Sequence, residues 1–212
     1  MQQRITPLEG IDRAVAGKQA NELADDIAGD AITLVRNDAK VLPLNLQTTS
    51  RIFNLAITNG DDRATIAQPF IWAMARQRIK VETAVLDDRS SEAEVKKAID
   101  GAARADVVMV SMYGRVRSGQ ARSVALPEPG TKALNELIER KIPLVGISFG
   151  NPYILLSFPR LQTYLVAYGD MPSLQEATAR GLAGQIDING HLPISLPGMY
   201  PRGSGIQLKA RH

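Results

Sequence analysis

Hydrophobic positions along the chain follow two spacings, one helical and one strand-like, and they alternate. Leu23, Ile27, Ala31, Leu34 and Val35 recur at helical intervals and predict a helix from about Glu22 to near Asn37. Val41-Leu42-Pro43-Leu44 follows, and its proline forces an extended segment. Ile52 to Thr58 reads as a strand closed by the turn signal Asn59-Gly60, and Ala64 to Gln77 as a helix whose start Pro69 delays or kinks. Val81 to Leu86 is a second strand. Ser91 and Glu94 form a capping box that opens a helix ending near Ala105, with Val95, Ile99 and Ala102 on its buried face. Val107 to Met112 and Leu144 to Ile147 are continuous apolar runs of strand length, separated by the amphipathic segment Lys132 to Arg140. Gln162 to Ala167 is the last long strand, and a second capping box at Ser173 and Glu176 predicts a helix to about Leu182.

Strands that alternate with helices need crossover connections, so the pattern predicts a three-layer αβα sandwich around a mostly parallel sheet. It is of flavodoxin or Rossmann type, with one terminal strand running antiparallel. His191 stands in Gly190-His-Leu-Pro-Ile-Ser195, whose alternation suggests a short final strand. The expected organisation is a lead-in over 1–20, a single α/β domain over 21–205 and a tail over 206–212.

Composition changes this picture only by exclusion. The chain has no cysteine and two histidines, His191 and His212, so thiolate chemistry is absent and no metal or cofactor is expected. No stretch reaches the roughly 20 apolar residues of a membrane helix, and the N-terminus has no signal-peptide core. A soluble chain is expected, with its compartment open. The net charge of +3 is concentrated in the second half. Its arginines are scattered and few aromatics interleave with them, which argues against a nucleic-acid partner.

Ligands of open α/β sheets bind beyond the carboxyl ends of the strands. Those ends are Asn59 to Asp62, Tyr113 to Arg122, Phe149 to Tyr153 and Tyr168 to Met171. The candidate face is therefore Tyr113, Arg115, Arg117, Ser118, Gln120, Arg122, Asn151 and Tyr153, its guanidinium groups suited to hydroxyls, carboxylates or a facing protein. Asn151-Pro152-Tyr153 also has a local explanation, an Asn cap with Pro at the first helical position. Gly146-Ile-Ser148-Phe-Gly150 matches the nucleophile elbow G-x-S-x-G, with Asp170 or Asp187 and then His191 following in the order of a hydrolase triad. A Ser148-dependent esterase is the rival that this motif raises. Neither a dinucleotide-binding glycine turn nor a Walker A loop is present.

Several segments, in this order, resemble the C-terminal α/β domain of family 3 glycoside hydrolases. Ala31-Ile-Thr-Leu-Val-Arg-Asn-Asp38 with Val41-Leu-Pro-Leu44 is similar to the segment that opens such domains, and Ala105-Asp-Val-Val-Met-Val110 to their central strand. Asn151-Pro-Tyr153, Phe158-Pro159, Ala167-Tyr-Gly169, Leu192-Pro-Ile-Ser195 and Pro201-Arg-Gly-Ser-Gly205 resemble later landmarks. The resemblance spans about residues 20 to 205. It leans toward the β-N-acetylhexosaminidase-like branch, with β-glucosidases second.

The resemblance implies a partner, an N-terminal (β/α)8 barrel in cis or trans that carries the aspartate nucleophile and binds the saccharide. No such barrel is read in these 212 residues. Retaining glycosidases need a nucleophile and an acid/base. β-Glucosidase-like members take the acid/base glutamate from a loop of the C-terminal domain before a Leu-Pro pair. The matching loop here, Arg117 to Arg122 before Leu126-Pro127, holds no carboxylate, and Glu128 beyond it reads as a helix-start residue. The implied role is an accessory domain without catalytic residues of its own; a stand-alone saccharide-binding module is a further alternative.

Overall fold

The computed structural model describes residues 17–45, 50–116, 119 and 125–211. Its elements are α1 (Lys18–Ala31), β1 (Thr33–Asn37), β2 (Ile52–Thr58), α2 (Gln68–Arg76), β3 (Val81–Leu86) and α3 (Glu92–Ala102), then β4 (Val107–Tyr113), α4 (Glu128–Glu139), β5 (Leu144–Ser148), α5 (Ile154–Ser157), β6 (Thr163–Val166) and α6 (Pro172–Leu182). The six strands form one sheet in the order β1-β6-β5-β4-β2-β3. All neighbours are parallel except β1 and β6. The fold is an α/β sandwich.

Alternate residues of the strands feed two cores. On one side Phe53, Leu55 and Ile57 of β2 and Val108 and Val110 of β4 meet Val95 and Ile99 of α3 and Leu134 and Leu137 of α4. On the other, Ala56, Met109, Val145 and Ile147 meet Phe70 and Met74 of α2, Ala28 of α1 and Leu174 and Leu182 of α6. Burial on both faces is why the segments of β4 and β5 read as apolar runs.

Three local expectations are corrected. The predicted Glu22–Asn37 helix stops at Ala31, and Thr33 to Asn37 become the edge strand β1. Leu34 and Val35 point into opposite cores, as a strand requires, and β1 finds its hydrogen-bond partners on β6, with a bulge between Leu34 and Arg36. Sheet pairing outweighed a helical spacing that fitted by coincidence: Leu23 and Ile27, expected to be buried, are each 60% exposed. Second, Ser173 caps nothing. Met171 is the N-cap of α6 with Pro172 in the first turn, and Glu176 is drawn to Arg76 of α2 and to Gln77 just beyond it. The Ser91 box, by contrast, makes both of its reciprocal bonds. Third, His191 lies in no strand. The antiparallel strand is β1, and the C-terminal stretch holds on through isolated bridges, Ile188 to Leu208 and Leu196 to Tyr200.

Residues 206–211, expected as a tail, are bonded into the body. Ile206 N donates to Leu34 O at 2.7 Å and Arg211 N to Gly184 O at 2.8 Å. The expected 1–20 lead-in falls almost wholly on residues outside those described, apart from the start of α1 at Lys18.

Candidate functional site

The sheet's winding reverses between β2 and β4, because β3 continues from β2 on one side while β4, β5 and β6 lie on the other. The carboxyl ends of β2 and β4 therefore diverge into their loops around a crevice, the usual ligand position in such sheets. Asn59 and Arg115 leave those two ends and are locked together. Asn59 Oδ1 accepts the Arg115 backbone N–H and its Nδ2 donates to the Arg115 carbonyl, both at 2.9 Å. Asn59 is buried, so this double bond fixes where the chain after β4 departs.

The Arg115 side chain then joins three loops. Its Nε and Nη2 donate to Asp170 Oδ2 at 3.1 and 2.6 Å, and Nη2 also donates to Asp62 Oδ2 at 2.8 Å. Hydrogen bonding to Asp170 holds the guanidinium above its usual range, and the charges of Asp170 and Asp62 add to this against a lowering by burial. Gly60 makes the close approach possible: a β-carbon there would stand 2.7 Å from Asp62 Oδ1 and 3.1 Å from Arg115 Nη1. Tyr168, at the end of β6, has φ of 65°, a left-handed conformation rare for a tyrosine, and its hydroxyl donates to Thr33 Oγ1 at 2.8 Å.

The expected face is only partly assembled among the described residues. Arg115 is exposed and central. Tyr153 is 41% exposed at the start of α5, and Asn151 braces that start by accepting the Tyr153 N–H on Oδ1 at 2.9 Å. The helix itself begins after Tyr153, so Asn151 acts through a turn instead of as the N-cap. Tyr113 is a correction. It is fully buried, stacks on Phe149 with centroids 5.1 Å apart and donates to Gln175 Oε1 at 3.2 Å. Burial holds its phenol far above the usual range, which suits a core tyrosine and not a ligand contact. Arg117, Ser118, Gln120 and Arg122 lie outside the described residues.

Sequence reasoning passed over Asp62 as a partner of Arg115, and considered Asp170 only as a triad acid. Their positions at strand ends were legible; their convergence on one guanidinium was not. The two carboxylates do not form a glycosidase pair, since such a pair flanks an open gap that admits the sugar. Here Arg115 fills the gap.

The nucleophile elbow dissolves on inspection of its residues. Ser148 is fully buried, donates to the Asn151 carbonyl at 3.0 Å and is not among the positive-φ residues, whereas an elbow holds its serine strained and exposed. Asp170 is engaged by Arg115, Asp187 by Lys209, and His191 Nε2 lies 3.3 Å from Gln207 Nε2. Both glycines have packing reasons. A β-carbon on Gly146 would run into Leu161 Cδ2, and one on Gly150 would stand 2.9 Å from the Gly114 carbonyl oxygen. The motif is a tightly packed strand end.

A cleft of about 620 Å³ lies at the opposite, amino-terminal end of β5 and β6. Its arginines are already engaged: Arg36 donates to the Tyr200 hydroxyl at 2.7 Å and to the carbonyls of Pro159 and Leu161, and Arg160 pairs with Glu139. Among the described residues there is no group of three potential metal ligands, and no helix is long and apolar enough to cross a membrane.

The model of the glycosyl hydrolase family 3 C-terminal domain matches residues 32–203. The chain belongs to this family. It is 26% identical over 195 residues to a β-N-acetylglucosaminidase/β-glucosidase of Cellulomonas fimi, a match that covers 89% of this chain and 34% of that protein. Among solved structures, a β-glucoside phosphorylase superposes with a TM-score of 0.72 at 24% identity, covering 90% of this chain and 34% of that one. A family 3 β-N-acetylglucosaminidase from Paenibacillus sp. str. FPU-7 superposes with a TM-score of 0.71 at 20% identity, covering 92% and 36%. The family 3 domain described here thus spans about a third of the length of the relatives it matches.

Proposed function

We propose that this family 3 domain is the accessory part of a glycosidase of the β-N-acetylhexosaminidase or β-glucosidase type. Its carboxyl-end face closes against a (β/α)8 barrel that supplies the nucleophile and the sugar site. The observation that carries this reading is the Arg115 cluster. It gathers the ends of β2, β4 and β6 at the switch point into a braced, charged surface while offering no free carboxylate for bond cleavage.

The rim supports the same reading. Val116, Met171 and Tyr153 stand exposed at the ends of β4, β6 and β5, the mixture of apolar and charged groups found on surfaces that meet another domain. Arg115, Asn151 and Tyr153, with Arg117, Ser118, Gln120 and Arg122 that follow in the sequence, are the residues we assign to that contact. Specificity between the two sugar types belongs to the barrel.

The test is activity with and without a barrel. The purified chain is expected to leave 4-nitrophenyl β-N-acetylglucosaminide and β-glucoside untouched. Added to a family 3 barrel domain prepared without its own C-terminal domain, it should raise turnover, and Tyr153→Ala with Arg115→Ala should weaken that gain. Sustained hydrolysis of either glycoside by the chain alone would overturn the proposal.

A further inference from the structure

Asn59-Gly60, at the end of β2, is a chemically labile pair. A glycine leaves its own backbone nitrogen the least hindered of any residue, so that nitrogen readily attacks the side-chain amide of an asparagine before it. The fold nevertheless demands both residues. Asn59 must offer the Arg115 backbone an acceptor and a donor at once, which an aspartate does not do, and a β-carbon at Gly60 would stand 2.7 Å from Asp62 Oδ1. In the folded chain the attack is blocked twice. The Gly60 N–H is donated to Thr58 Oγ1 at 3.0 Å, and Asn59, 5% exposed, is held by both side-chain atoms on the Arg115 backbone. This double pairing clasps the ends of β2 and β4 together.

We propose that Asn59 is a site of spontaneous deamidation, gated by opening of the Arg115 clasp, and that its conversion unlocks the carboxyl-end crevice irreversibly. When the clasp opens, the Gly60 nitrogen gives up its proton and bonds to Asn59 Cγ; the Cγ–Nδ2 bond breaks, and the amide nitrogen leaves with that proton as ammonia. Water then opens the cyclic imide to aspartate or isoaspartate. The net change is one water consumed, one ammonia released and one negative charge gained. Reclosure fails for the product, because a carboxylate oxygen replaces Nδ2 against the Arg115 carbonyl, two acceptors with no proton between them. The Arg115 side chain sets how often the clasp opens, since its ion pairs tie the chain after β4 to Asp62 and Asp170 in the loops after β2 and β6. The inference does not depend on what the crevice faces.

The chain's other Asn-Gly pair, Asn189-Gly190, is an internal reference, because its Gly190 N–H is held by the Ile32 carbonyl instead. The intact chain is incubated at mildly alkaline pH, folded or in guanidinium chloride, and both sites are followed by peptide mass spectrometry. Asn59 should convert slowly but measurably in the folded chain and much faster in the unfolded one. Arg115→Ala should speed the folded reaction at Asn59 about fivefold, the factor that an exposed ion pair makes in an opening equilibrium, and leave Asn189 unchanged. Hydrogen exchange at the Arg115 amide should rise at least about fivefold in the converted chain and in Asn59→Asp. Four results would overturn the proposal: equal rates at Asn59 folded and unfolded, no conversion at Asn59 in the folded chain, an Arg115→Ala rate equal to the native one, or an Arg115 amide as protected after conversion as before.

Discussion

Replacing Asn54 by valine should stabilise this domain, although Asn54 sits in the middle of an interior strand. β2 lies between β3 and β4, and Asn54 is fully buried there, opposite Thr83 on one side and Met109 on the other. Neither its amide nitrogen nor its oxygen has a partner among the described residues, and the same holds for the Thr83 hydroxyl. A buried polar group left unpaired costs about 1–3 kcal/mol. Valine removes both polar atoms, suits a strand through its branched β-carbon and adds contact with the core shared by Ile52 and Ala56. The expected gain is about 1–3 kcal/mol, which for a chain of this size raises Tm by roughly 2–10 °C. Thermal unfolding followed by circular dichroism measures it, and urea titration should show a higher midpoint at unchanged slope. A fall in Tm that Thr83→Val then repairs would refute the reasoning. It would mean that the two side chains pair in solution, so that valine at 54 strands the Thr83 hydroxyl.

Other contacts in the fold set further outcomes. Asp87 is buried at the end of β3, where burial alone would raise its carboxyl; hydrogen bonds from Arg89 and Ser90 and the charge of Arg63 outweigh this and hold it below its usual value. Its contribution is therefore complete above about pH 4 and lost as pH falls through the lower folded value, so acid titration of stability should flatten in Asp87→Asn, at a cost of about 2 kcal/mol near neutrality. Asn59→Ala should cost about 2 kcal/mol because it orphans the Arg115 backbone N–H and carbonyl, whereas Arg115→Ala, whose side chain is 46% exposed, should cost under about 1 kcal/mol; chemical denaturation ranks the two. Gly146→Ala should destabilise by about 1–3 kcal/mol through collision with Leu161, and Ser148→Ala should leave hydrolysis of 4-nitrophenyl acetate at its background rate; an ester-cleaving activity lost in Ser148→Ala would restore the esterase.

The sequence by itself determined the layer architecture. Strands β2, β3, β4 and β5 and the Ser91 cap were legible because both depend on neighbours close along the chain: strand burial shows as apolar runs, and a cap is a bond across three residues. The ordered landmarks from Asn151-Pro-Tyr153 to Leu192-Pro-Ile-Ser195 pointed to the family for a similar reason, as fixed turns between those runs. Only the tertiary structure decided the rest. Whether Leu34 and Val35 were helix or strand depended on β6, more than 120 residues away, and whether Glu176 closed a capping box depended on Arg76 of another helix. Tyr113 and Ser148 look functional in a linear reading because both end strands; packing buried them and turned their hydroxyls onto Gln175 and the Asn151 carbonyl. The Arg115 cluster draws Asn59 and Asp62 from the loop after β2 and Asp170 from the loop after β6. No local spacing encodes it, because the sheet's crossing order is what brings those loops to one crevice.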